Sequence, residues 1–174
     1  MSATSTYAGD GAREIYLAST QAGVATSTAL SVTQTGFTLS NPYGSGKTLV
    51  LLKFFGAFTT APAAIATLVL AANVNPVATA VTQGTPLTVR KANLGVSGTA
   101  VGLAASAATL PAAPVVVAGL GGPVATGSVS QPQVVANFEG AICVAPGCAV
   151  SINSITTAIS GIWTMVWEEV KEFA

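Results

Sequence analysis

GIWTMVWEEV, residues 161–170, decides the fold class. In an extended chain successive side chains point to opposite faces. Ile162, Thr164 and Val166 then share one face, and Trp163, Met165 and Trp167 the other. Large side chains on both faces predict a central strand, with both tryptophans buried in the body or against a subunit neighbour.

Outward from this segment, short runs of strand formers recur along the chain. They cover residues 14–19 (EIYLAS), 36–40 (GFTLS), 48–58 (TLVLLKFFGAF), 65–72, 86–90 (PLTVR), 115–118, 133–139 (QVVANFE), 141–144 and 149–152. Between them stand the turn signals Asn41-Pro42-Tyr43-Gly44, Asn75-Pro76, Gly121-Gly122-Pro123 and Ala145-Pro146-Gly147. Such spacing predicts an all-β chain, an antiparallel β-sandwich of jelly-roll-like kind or a barrel. Helix signals are weak: residues 61–73 have fair propensity, but Ile65, Thr67 and Val69 alternate as in a strand. Residues 1–12, small and polar, read as an extended N-terminal arm that is ordered only against a neighbour. Residues 13–174 read as a single β domain. Within it the Ala/Gly-rich segment 92–130 shows no clear period and reads as a long loop or insertion.

Composition narrows the function. The 174 residues carry six basic groups, six acidic groups and no histidine. Charged residues make up 7%, against about 25% in ordinary globular chains. Hydrophobic letters reach 51%, but 32 of those residues are alanine, so the core is large by count and thin by volume. Nucleic-acid and anionic-membrane surfaces need clustered Lys and Arg, which this sequence lacks. The commonest general base and metal ligand is missing altogether. A surface this poor in charge belongs either in a membrane or under a covering partner. The best membrane window, residues 54–72 (FFGAFTTAPAAIATLVLAA), is broken by Thr59, Thr60 and Pro62 and does not read as a spanning helix. The first residues have neither the basic start nor the apolar stretch of a secretory signal. The expectation is a soluble chain made in the cytoplasm, whose surface copies of itself or a partner will cover. Four of the six acids lie in residues 139–174 and five of the six bases before residue 92, which suggests a contact between these two ends, head-to-tail or with a neighbour.

Each motif with chemical potential has a plain alternative. Ser45-Gly46-Lys47-Thr48 looks like the end of a phosphate-binding loop, which also requires a glycine five residues before the Gly-Lys pair. Asn41 stands there, followed by Pro42, and TLVLLKFF reads as a strand where a helix N-terminus should meet the anion. A glycine-rich turn entering a core strand is the expectation. Cys143 and Cys148 flank Val-Ala-Pro-Gly. A four-residue hairpin there allows a disulfide, while cytosolic synthesis favours two small buried thiols. Two cysteines without histidine do not fill a zinc site. Glu168 and Glu169 are adjacent and face opposite sides, so they cannot work as a paired acid and base. Glu14 and Glu139 stand alone in the sequence. Phe54, Phe55, Phe58, Trp163 and Trp167 read as core rather than as a ligand platform. No catalytic, cofactor-binding or metal site is expected, no cofactor, and no enzyme.

Three blocks carry a resemblance. Residues 41–53, NPYGSGKTLVLLK, are similar to a segment of small structural proteins of tailed bacteriophages. Residues 144–152, VAPGCAVSI, resemble a hairpin of those proteins, and residues 163–170, WTMVWEEV, their closing strand. The resemblance covers about 30 residues and implies a β-sandwich or jelly-roll virion protein. It implies most specifically a capsid decoration (cement) protein, sitting as a homotrimer on the head and clasping the major capsid protein. The expected partners are therefore the major capsid protein and the chain itself, with no nucleic acid and no membrane, and the expected location is the capsid surface. The alternatives are a tail, fibre or head-spike protein used in host attachment and, through Ser45–Thr48 alone, a nucleotide hydrolase.

Overall fold

A computed structural model describes residues 13–122 and 133–171. Its twelve strands are β1 (Ile15–Ser19), β2 (Val24–Ala25), β3 (Thr33–Ser40), β4 (Lys47–Phe58), β5 (Thr67–Asn73), β6 (Thr82–Pro86), β7 (Val89–Lys91), β8 (Leu103–Thr109), β9 (Val115–Gly121), β10 (Gln133–Val144), β11 (Ala149–Ile155) and β12 (Ser160–Lys171). Among the described residues there is no helix. Two sheets pack together as an antiparallel β-sandwich, the expected fold class. The first sheet has the order β10-β4-β12-β1-β7, with β2 also on β12; the second has the order β6-β8-β3-β11-β5-β9.

The tryptophan strand β12 is central, flanked by β4 along its whole length and by β1. Its inward stripe is Gly161, Trp163, Met165, Trp167 and Glu169, all buried. Trp163 stacks on Phe54 at 6.2 Å and meets Phe58 edge-on at 6.1 Å; Tyr16 lies 6.4 Å from Trp167. Leu49 and Leu51 extend this layer, and Phe37, Leu39, Leu68, Leu70, Val150 and Ile152 face it from the second sheet. The polar ends of the rings are satisfied, as buried Trp and Tyr require. Trp163 Nε1 donates to Val24 O at 2.8 Å and Tyr16 OH to Thr99 O at 3.2 Å. A thin, alanine-rich composition thus still yields a core, because its few large side chains concentrate in one layer.

Trp163 fits there because two strand residues have no side chain. A Cβ on Gly161 would come within 2.6 Å of the Trp163 ring, and one on Gly56, its register partner on β4, within 2.9 Å. Leu52 is the extra residue where β4 bulges against β12, so inward residues run Leu49, Leu51 and then Phe54. On the other side of β4, residues 138–141 of β10 bulge out with Glu139 at φ 51° and Gly140 at φ 84°. The two expected strands 133–139 and 141–144 are one strand carrying this irregularity.

Among the described residues, no two consecutive strands pair with each other. Residues 145–148 therefore do not form the expected hairpin: they carry the chain from β10 in the first sheet to β11 in the second. Cys143 is exposed, Cys148 is buried, and both thiols are free. The expectation of two buried thiols holds for Cys148 alone, because Cys143 lies on an edge strand of the sandwich while Cys148 follows the crossing into the core. The segment 92–130 is also corrected: it supplies β8 and β9, both within the second sheet. Residues 110–114 between them must cross β3, β11 and β5, and Leu110 and Pro114 are buried. The central strands of this sheet are accordingly buried on both faces, with Thr38, Ala71, Ser151 and Asn153 enclosed on the side away from the core. The expected arm, residues 1–12, lies outside the described residues.

Candidate functional site

Asn41 organises one end of the sandwich. Pro42 and Gly44 (φ 73°) turn the chain after β3, and Gly46 (φ 65°) turns it again into β4. Asn41 sits inside this loop, 2% exposed. Its Nδ2 donates to Lys47 O at 2.7 Å and to Val144 O at 2.9 Å, and its Oδ1 accepts from Ser45 Oγ at 2.7 Å. Its backbone N–H donates to Cys148 O at 2.9 Å, and its carbonyl accepts from Gly147 N at 2.8 Å. One residue therefore ties the β3–β4 loop to the β10–β11 crossing.

Lys47 continues the closure. Its ammonium bonds the carboxylates of Glu14 and Glu169. These bonds, led by that to Glu14, hold the Lys47 pKa above its ordinary value despite opposition from burial. The Glu169 side chain is fully enclosed. It accepts from Val101 N at 2.9 Å, Gly102 N at 2.9 Å and Trp167 Nε1 at 3.4 Å, so every side of the carboxylate is occupied. Burial of the phenol first, then the charges of Glu14 and Glu169, push the Tyr16 pKa up. Arg13 forms a two-point pair with Glu168 on the outer side of the same strand. Two of the early bases, Arg13 and Lys47, meet late acids within one chain, because β1 and β4 both lie beside β12.

This geometry has a chemical consequence for Ser45–Thr48. A phosphate loop offers free N–H groups and a free lysine to the anion. Here two carboxylates already neutralise Lys47, Ser45 Oγ bonds Asn41, and Thr48 stands in a strand. The segment is the glycine-rich turn into a core strand. Glu168 and Glu169 do face opposite sides, each in an ion pair, and Glu14, solitary in sequence, pairs with Lys47. Among the described residues no group of three His, Cys, Asp or Glu side chains could hold a metal. The three blocks of the phage resemblance converge here: Asn41 and Lys47 from the first, residues 144–148 from the second, Glu169 from the third. Sequence reasoning missed Asn41 and Glu169 as the joints; the Asn-Pro turn and the acid in phase with Trp163 and Trp167 were their only signals.

The remaining candidate surface is the outward face of the first sheet. Register places Val135, Phe55 and Thr164 in one row across β10, β4 and β12, and Gln133, Ala57 and Ile162 in the next. Val135, Phe55 and Ile162 are 49%, 40% and 37% exposed. The following row is Asn137, Lys53, Val166, Leu17 and Arg90. Lys53 lies 5.5 Å from the centre of the Phe55 ring. Of the five aromatic residues read as core, Phe55 is the exception: the bulge at Leu52 reverses the alternation of β4 and turns Phe55 outward. No family model, no curated protein and no solved structure matches this chain.

Proposed function

We propose that the chain is a non-enzymatic structural protein of a tailed-phage virion, which decorates and stabilises the capsid as a homotrimer bound to the major capsid protein. The observation that carries this reading is the outward face of the first sheet. It presents Val135, Phe55, Ala57, Ile162 and Val166 on three adjoining rows of β10, β4 and β12, with Lys53 the one charged residue in those rows. Covering such a face removes apolar area from water and strips few ions of their hydration. Apolar patches of this kind mark association sites in soluble proteins. The polar closure is compatible with a structural role, since Glu14, Lys47, Glu168 and Glu169 are engaged in ion pairs. The resemblance of residues 41–53, 144–152 and 163–170 supplies the virion setting.

The test is sedimentation of the purified protein, alone and with tailed-phage capsid shells assembled without a decoration protein. A trimer that co-sediments with the shells is the expected result. A monomer that binds no shell overturns the reading, and binding to host cells or glycans without shell binding transfers it to an attachment protein.

A further inference from the structure

The ion pairs within the chain leave one acid over. Glu14, Glu168 and Glu169 each bond a base of the same chain. Among the described residues Glu139 is the one acidic side chain that enters no ion pair. It stands exposed on the β10 bulge at φ 51°, a left-handed conformation that glycine adopts with less strain. Asn137, two residues before it, is the register partner of Lys53 on β4. Lys53 is half-buried in the outward face of the first sheet and has no carboxylate of its own chain within ion-pair distance. Its ammonium has only the Phe55 ring, 5.5 Å away. A hollow of about 170 Å³ opens beside it, lined by Leu52, Lys53, Phe55 and Val166. The other described bases without an ion pair lie at the margins of this sheet: Arg90 and Lys91 on the edge strand β7, Lys171 at the end of β12.

We infer that a second copy of the chain covers this face, with Glu139 of one copy paired to Lys53 of the next. The inference rests on the reading of the outward face as an association surface. Covering that face removes Val135, Phe55 and Ile162 from water, and it takes Lys53 with them. A cation buried without an anion is strongly disfavoured, so whatever covers Lys53 must bring a carboxylate. The chain has one to offer: Glu139 is unengaged, exposed, and carried on the edge strand of the same sheet. Each copy thus presents one unpaired cation and one unpaired anion on neighbouring strands, and complementary charge of this kind fixes the register of an apolar contact. The numbers also close. In a ring of identical copies every Lys53 meets one Glu139 and none is left over, as a homotrimer requires. The hollow beside Lys53 gives the incoming side chain a seat.

Sedimentation equilibrium of the full chain tests the pairing. Lys53→Glu and Glu139→Lys should each weaken self-association about tenfold or more, since each sets two like charges against one another. The double variant, with the charges exchanged, should return close to wild type. Glu139→Gly suits the left-handed backbone, so its monomer should melt no lower than wild type while association still weakens. That variant separates a lost contact from a lost fold. Single variants that assemble like wild type, a double variant as weak as the singles, or a Glu139→Gly chain that assembles normally would each overturn the inference. Binding to capsid shells is scored separately. A wild type that assembles, shows rescue by charge exchange and ignores the shells overturns the capsid reading alone. A monomeric wild type that binds shells overturns the pairing alone.

Discussion

Asn41 holds two connections that cross between the sheets, and its removal separates local folding from closure. Asn41→Ala takes the amide donor from the carbonyls of Lys47 and Val144 and the acceptor from the Ser45 hydroxyl, which still reaches Lys47 O at 3.2 Å. The bond to Val144 O is the buried one, and its loss should cost about 1–3 kcal/mol, a shift that a urea titration would measure directly. Asn41→Asp keeps the acceptor for Ser45 but loses both donor bonds, so it should recover little. The ion cluster next to it gives stability a pH dependence. The Lys47 pKa is raised from 10.5 by its carboxylate partners, so the folded state favours its charged form. That contribution is complete below pH 10.5 and is lost as pH rises through the folded value. The Tyr16 pKa is raised from 10.0. The unfolded chain ionises first there, and the folded state again loses ground as pH rises. Both groups act in the same direction, so the melting temperature should fall steeply from about pH 10 upward. Lys47→Met with Tyr16→Phe should flatten that slope, and an unchanged slope would place the alkaline transition elsewhere. The phosphate-like spelling of Ser45–Thr48 was misleading at this scale. Nothing in the sequence states that Glu169, 122 residues away, already occupies the lysine.

Strand β12 shows what a single element can specify. Gly161 and Gly56 form the bed of the Trp163 ring, and a side chain at either place would stand within 3 Å of it. Gly161→Val should therefore destabilise the fold by at least the 1–3 kcal/mol typical of overpacked cores, although valine is the better strand former. Thermal melting followed by tryptophan fluorescence checks both the loss and the displacement of the ring. Solvent exposure also sets the order of reaction of the thiols. Cys143 should be alkylated first and Cys148 much later, because Cys148 is buried and its pKa is raised. Peptide mapping after timed alkylation reads that order. Legibility followed side-chain signal. Strands with aromatic or branched residues, β1, β3, β4, β5 and β12, were readable to within about three residues at each end. Strand β8 (LAASAAT) was not, because alanine carries no strand preference and leaves no side-chain signal. Strand β6 (TQGTP) was hidden by its glycine and proline, which an edge strand tolerates. The hairpin expected at 145–148 failed for a different reason: a tight turn shows where a chain bends and not which sheet it enters.

At the scale of the molecule, every ladder joins strands that are distant in sequence. Loop closure must then precede each reward, which places refolding among the slow β folds, in milliseconds to seconds. The same wiring leaves the first sheet's outward face as a platform with Val135, Phe55 and Ile162 exposed on it, whereas in the second sheet the strands β3, β11 and β5 are enclosed on both sides. That asymmetry decides where a partner should sit. Val135 and Ile162 stand on different rows and on strands separated by β4, so aspartate at both positions would put two charges on the platform without facing each other directly. Both side chains point away from the core, and exposed substitutions usually change stability by no more than about 0.5 kcal/mol. A hidden interface is far less tolerant, since each buried carboxylate would have to shed its hydration. Val135→Asp with Ile162→Asp should therefore abolish self-association and shell binding in sedimentation, while the monomer keeps its melting temperature. A double variant that still assembles would remove the platform from the interface and direct attention to the uncovered edge strand β9, where Val115, Val116 and Val117 are all exposed.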